Sequence, residues 1–260
     1  MFDHNPFAAL AVSVAPLFMQ IYLILMIAFV VGGTLFDMLH KRNAAYFFQH
    51  RRRARALSQR EVSGGEKVLL ATETVAEALV SGEFCNARRR IAHLLAMYGF
   101  IAYAVTTVIM VFWYSTPDAA TPPILPLLWH VGLLMILIGG IWFWFFIRVD
   151  VAAEGHSPFR VVHADLFVIA LLNSAALALI WSWLQWVGSP LGIWALGLYL
   201  TATTVLFGSV PWSKFSHMFY KPAAAFQRRL EEAGGSRMNL PAAADKAETF
   251  GSTRELPRHY

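Results

Sequence analysis

Residues 124–147 read ILPLLWHVGLLMILIGGIWFWFFI, twenty-four positions without a single Asp, Glu, Lys or Arg. About 20 apolar residues in a helix cross the hydrocarbon core of a bilayer, so this run predicts a membrane span. Four more such runs, at 17–39, 91–113, 166–186 and 191–210, carry Lys or Arg only at their ends. The whole chain of 260 residues is 57% hydrophobic and 14% charged, with a mean hydropathy of +0.51. Soluble globules average about 25% charged residues. The composition therefore excludes an ordinary soluble domain, and equally disorder, collagen-like repeats and coiled coil. The fold class it predicts is an all-α membrane protein, a five-transmembrane-helix bundle.

The basic residues orient that bundle. Of 21 Lys and Arg, eleven fall between Lys41 and Arg90, two (Arg148 and Arg160) between the third and fourth runs, and eight from Lys214 onward. The amino-terminal segment, the 115–123 loop and the 187–190 turn have none. By the positive-inside rule, the amino terminus is expected outside and the carboxyl terminus in the cytoplasm. The chain then divides into an outer segment 1–16, spans at 17–39, 91–114, 124–147, 163–186 and 190–218, a cytoplasmic basic loop 40–90 and a cytoplasmic tail 219–260, disordered from Gly234. No basic residue precedes the first span and no small-residue cleavage site follows it, so a cleaved signal peptide is not expected. The net charge of +5 reads as topology, not as a nucleic-acid footprint.

The basic loop is too long to be a mere connection. Within it, 66–84 reads as an amphipathic helix: Val68, Leu69, Thr72, Val75, Ala76, Leu79 and Val80 recur at helical spacing, with Glu66, Glu73, Glu77 and Glu83 mostly elsewhere on the wheel. Its acidic side offers a docking face for a partner; lying on the membrane surface or against the bundle is the equal alternative. The single cysteine, Cys85, excludes a disulfide framework, a cysteine zinc site and an iron–sulfur cluster built from this chain.

Ionisable groups at the ends of spans are where chemistry is sought in a membrane bundle. Of nine histidines, His4, His40, His50, His156 and His259 read as terminal, solvated or interfacial. His93, His163 and His217 fall at one level, the cytoplasmic ends of spans two, four and five, whereas His130 stands near the outer entrance of span three with no other histidine at its depth. Two neutral imidazoles from different helices at one depth satisfy a b-type haem; capping a helix or meeting headgroups satisfies them as well. Arg88, Arg89, Arg90, Lys214 and Lys221 are placed to neutralise propionates, and Tyr98, Phe100, Trp212, Phe215 and Phe219 to pack on the ring.

The segment from Arg88 through His93 to Phe100, RRRIAHLLAMYGF, resembles the second membrane helix of the nitrate reductase gamma-subunit family, in particular its sulfur-metabolism branch. Pro211-Trp212-Ser213-Lys214-Phe215-Ser216-His217 is similar to the ending of that family's fifth helix. The resemblance covers about residues 15–225. It implies a membrane cytochrome b in which His93 and His217 are the axial ligands of one haem b near the cytoplasmic face, held by its iron, with Arg89, Arg90 and Lys214 as propionate contacts. His163 is an alternative ligand or a quinone contact, and Tyr98 and Lys214 are further quinone contacts. Asp165 would accept the second ring hydrogen of His163, take up quinol protons, or act as a plain helix-start carboxylate.

The family commonly has a second, outer haem, with ligands about ten residues further into helix two and near the start of helix five. This chain has Tyr103 at the first place and Gly192 and Tyr199 near the second. The outer haem is therefore expected to be missing. The quinone-interacting membrane-bound oxidoreductase subunit carries an amino-terminal ferredoxin-like domain that is not expected here, and the chain looks most similar to the membrane anchors associated with adenylylsulfate reductase.

The expected function is a bacterial inner-membrane electron-transfer subunit linking a cytoplasmic iron–sulfur flavoprotein, such as adenylylsulfate reductase, to the quinone pool. It would not itself convert substrate. A structural anchor without haem is the main alternative. A small-molecule transporter is disfavoured, since only Asn173, Ser174 and the Gly139-Gly140 pair interrupt the apolar runs.

Overall fold

The computed structural model describes residues 1–40, 43–82, 86–148, 159–162, 165–212 and 217–236; for Asn43, His217, Met218 and Phe219 it describes the backbone alone. The described residues form nine helices and no strand. In chain order they are α1 (Pro6–Leu10), α2 (Pro16–His40), α3 (Asn43–Ala56), α4 (Gly64–Leu79), α5 (Ala87–Trp113), α6 (Ile124–Phe146), α7 (Leu166–Trp186), α8 (Gly192–Gly208) and α9 (His217–Gly234). Four of them, α2, α5, α6 and α7, are long and apolar enough to cross a membrane. The shorter apolar helix α8, at 17 residues, rises only about 25 Å.

The chain folds as two compact units, Met1–Met38 with Asn86–Ser216, and Leu39–Cys85 with His217–Tyr260. In the first, α5 and α6 run antiparallel at backbone contact. A Cβ added to Gly99 would stand 2.6 Å from the carbonyl oxygen of Gly132, and one added to Gly139 would stand 2.6 Å from that of Ala92. Close approach through small residues is how helices gain packing in lipid, where no hydrophobic force joins them. Gly140 receives the Leu172 side chain of α7 instead. The glycine pair that interrupts the third apolar run is thus a packing device.

The first unit's core is aromatic and centred on α5–α8. Trp129, Trp181, Met110, Leu133, Ile136 and Leu206 are fully buried. Helix α2 joins it through few contacts: Tyr22 donates to the Leu200 carbonyl at 2.8 Å and Gln20 to the Val111 carbonyl at 3.3 Å. Most of its apolar side chains remain exposed, as suits a helix facing lipid.

One span boundary differs from the expected one. The fifth run is not one helix over 190–218: α8 stops at Gly208, three residues before Pro211, which cannot donate the backbone hydrogen bond a continuing helix needs. The tail is helical up to the point from which disorder is expected, because α9 runs from His217 to Gly234. The disorder expected further on, past Ser236, concerns positions outside the described residues.

The second unit holds α3, α4 and α9. Arg229 of α9 reaches Glu73 at 2.7 Å and Glu77 at 2.5 Å on α4, and Gln59, just after α3, donates its amide to the Gly234 carbonyl at 2.8 Å. Helix α4 starts where the sequence places it, with Ser63 accepting from the Glu66 amide. Its acidic side, however, is not a free docking face. Glu73 and Glu77 are spent on Arg229, and Glu66 takes a two-pronged bond from Arg60 at 2.9 and 2.5 Å, while Glu83 is outside the described residues. Arg60's hydrogen bonds, above all, hold the Glu66 carboxyl below its ordinary value.

Candidate functional site

The histidine-bearing end of α5 is built from its cap. Asn86 accepts hydrogen bonds from the Arg88 amide at 2.9 Å and the Arg89 amide at 3.4 Å, which starts the helix just before the arginine run. Arg88 is exposed; Arg89, Arg90 and His93 are half-buried. His93 is six residues past the first helical residue, about 9 Å along the axis. Two turns further on the same face, Phe100 packs against Phe207 of α8 with ring centroids 6.4 Å apart. The face of α5 that carries His93 is therefore the face turned toward the last apolar helix.

The same pair of helices meets again at Tyr103 and Tyr199, whose hydroxyls lie 2.5 Å apart. The two contacts set an antiparallel register, by which α8 has already ended when α5 reaches the level of His93. Among the other expected site residues, Arg89 and Arg90 share this end of α5, and Tyr98 is 42% exposed on its flank. Trp212 is exposed, and so is Lys221 on α9. His217 opens α9, in the second unit, with its backbone alone described. His163, Lys214 and Phe215 lie outside the described residues.

Asp165 stands at the helix start, as expected, and there it forms an ion pair. Both of its oxygens are taken by Arg148 at the end of α6, Nε at 2.8 Å and Nη2 at 2.5 Å, and one also accepts the Val162 amide at 2.9 Å. The guanidinium lies 3.9 Å from the centre of the Trp144 ring and also donates to the Arg160 carbonyl. Asp165 makes no side-chain cap bond to α7. The carboxylate is a clasp between the ends of α6 and α7, nearly buried and bidentate.

Tyr103, and Gly192 or Tyr199, stand where the resemblance would look for outer-haem ligands. Here both tyrosine rings are buried. Tyr199 stacks on Trp181 with centroids 5.6 Å apart and planes at 11°, and Tyr103 leans on Trp129 at 6.1 Å. Trp129 donates its indole hydrogen to Thr107 at 2.9 Å. With the two hydroxyls in direct contact, these residues do not fit a porphyrin between them.

The opposite end of the unit holds a polar cluster that sequence reasoning only half found. His130 is fully buried. Its Nδ1 is 2.7 Å from the Pro126 carbonyl, which can only accept, so Nδ1 carries the hydrogen and Nε2 accepts from the Ser182 hydroxyl at 2.8 Å. The expectation that no other histidine shares its depth is overturned, because the amino-terminal segment folds back over it. Phe2 lies 5.3 Å from the His130 ring, and His4 is near enough for the two imidazoles' charges to interact. Asn5 anchors that segment, donating to the Tyr114 carbonyl at 2.8 Å and to Thr121 at 3.0 Å while capping α1. Burial first, and the N-terminal ammonium next, push His4 below the ordinary imidazole value. His4 Nε2, Trp181 Nε1 and Gln185 Oε1 are buried here without a partner among the described residues.

Among the described residues, no three His, Cys, Asp or Glu side chains gather as a metal-binding group. Compared with known proteins, the chain matches no family model, no curated protein and no solved structure.

Proposed function

We propose that this chain is the membrane-anchoring, electron-transfer subunit of an oxidoreductase complex, with five spans, its basic ends toward the cytoplasm and one haem b held between His93 and His217. The observation that carries the reading is the placing of His93. It is half-buried, on the α8-facing side of α5, just where α8 has ended and the chain proceeds toward the Pro211–His217 motif.

Haem b would supply reversible one-electron transfer at that end. The chain's own residues would then divide the work. His93 and His217 would each offer a neutral imidazole nitrogen to the iron; Arg89, Arg90 and Lys214 would balance the propionates. Tyr98 and His163 would donate hydrogen bonds to a quinone headgroup arriving from the lipid. Asp165 would keep the ends of α6 and α7 together and would not carry protons, since Arg148 holds both its oxygens. At the Tyr103–Tyr199 level two hydroxyls satisfy each other, which supports a single haem. The soluble partner would be an iron–sulfur flavoprotein of the adenylylsulfate reductase kind, where adenylylsulfate and sulfite are interconverted.

The test is the pigment content of the purified full chain. About one b-type haem per chain, reducible by a quinol analogue, is the expected result. Protein that is colourless after expression with ample haem supply would leave a structural anchor in its place.

A further inference from the structure

Helix α3 carries Arg51, Arg52, Arg53 and Arg55, all exposed, and no acidic residue lies between Asn43 and Gln59. Among the described residues none of these four guanidinium groups joins an ion pair, whereas Arg60, Arg148 and Arg229 each do. Phe48, Arg51, Arg52 and Arg55 recur at i, i+3, i+4 and i+7, which is one face of a helix, and they line a shallow cleft of about 220 Å³. Beside it Tyr46 and Phe48 are 65% and 49% exposed, with the Tyr46 ring 4.5 Å from that of His50.

The chain starts α3 close to the end of an apolar helix long enough to cross a membrane. Only Lys41 and Arg42 separate the end of α2 from the start of α3, so three peptide links, spanning at most about 11 Å, tether α3 to the end of a membrane-crossing helix. Uncompensated guanidinium groups crowded into a helical turn or two repel one another until anions neutralise them. Phosphodiesters suit this best, because the planar guanidinium meets phosphate oxygens in pairs. Aromatic rings prefer the headgroup level, and basic clusters just beyond a span are drawn to anionic leaflets.

We infer that α3 is an anionic-phospholipid site, in which Arg51, Arg52 and Arg55 hold a headgroup phosphate against the Phe48 ring. The inference rests on α2 crossing the bilayer and is independent of the haem.

The experiment uses the full chain, delipidated in non-ionic detergent and titrated with phosphatidylglycerol or phosphatidylcholine, with bound lipids counted by native mass spectrometry. Wild type is expected to prefer phosphatidylglycerol by at least about tenfold. Each lost charge should weaken that binding about fivefold, so R51Q/R52Q/R55Q falls about a hundredfold. Gln keeps nearly the helix propensity of Arg. The corresponding triple Lys variant should retain most of the preference, and K67Q, on exposed α4 surface, should not alter it. Equal retention of phosphatidylglycerol by wild type and the Gln triple would overturn the proposal, as would indifference of wild type to headgroup charge. Binding of soluble heparin through these arginines without lipid preference would assign the face to an acidic macromolecule, and overturn it too.

Discussion

Helices α5 and α8 meet at one level and part at another. At Tyr103 they close on each other: two hydroxyls at 2.5 Å, a stacked tryptophan on one side and a tilted one on the other. Ten residues back along α5, about 15 Å, His93 stands within a quarter turn of that face, at a level where α8 has already finished. The difference shows how a bundle separates a sealed level from an open one. It matches a tyrosine to a tyrosine where the helices run side by side, and one helix stops before the level of His93.

The largest expected effect tests what keeps the open end in shape. Asp165→Asn removes one partner of a nearly buried bidentate ion pair and leaves Arg148 uncompensated, which should destabilise by about 3–5 kcal/mol. The measure is thermal unfolding in detergent. An unchanged midpoint would make the clasp incidental.

Next comes the spacing between α5 and α6. Gly139→Leu forces a side chain into the Ala92 carbonyl, beside His93, and should lower stability by about 3 kcal/mol. Gly197→Leu, on a glycine with no neighbour within 4 Å of an added Cβ, should be silent. Equal behaviour of the two would remove close helix contact from the explanation.

The sealed level is sharpened by a double-mutant cycle. Tyr103→Phe or Tyr199→Phe alone strands a buried hydroxyl, for about 1–3 kcal/mol. The double Phe variant should recover part of that loss, because neither oxygen remains to be satisfied. Strict additivity would argue against the direct bond.

The smallest effect is at the far end. His4 has its pKa depressed in the folded state, so the docked amino-terminal segment is favoured while the imidazole is neutral and loosens as pH falls below the ordinary value of 6.5. The protection of the Phe7 and Ala8 amides, which donate to Asn5, measured against the intrinsic exchange rate at each pH, should fall a few-fold between pH 7.5 and 5.5. A flat profile would place His4 outside the lock.

The four helices long and apolar enough to cross a membrane were legible because long, nearly charge-free runs favour helices in lipid, and Pro211 announced the end of the shorter apolar helix α8. Helices α3 and α9 were not, since neither is apolar enough to stand out; α9 is held by Arg229 reaching glutamates more than 150 residues away. His93 stood out by its arginine run. The lock over His130 depends on Asn5 bonding to groups 109 and 116 residues distant, and no periodicity in the sequence encodes such a pairing. Tyr103 could be singled out by its spacing from His93, but its bond to Tyr199 appears only when the helices are in register.

The most direct measurement is the reduced-minus-oxidised spectrum of three single variants purified alongside wild type. If the iron is held at the open end, His93→Ala and His217→Ala lose the b-type bands while His130→Ala keeps them. A full spectrum in both of the first two, or loss only in the third, would contradict the proposed ligands.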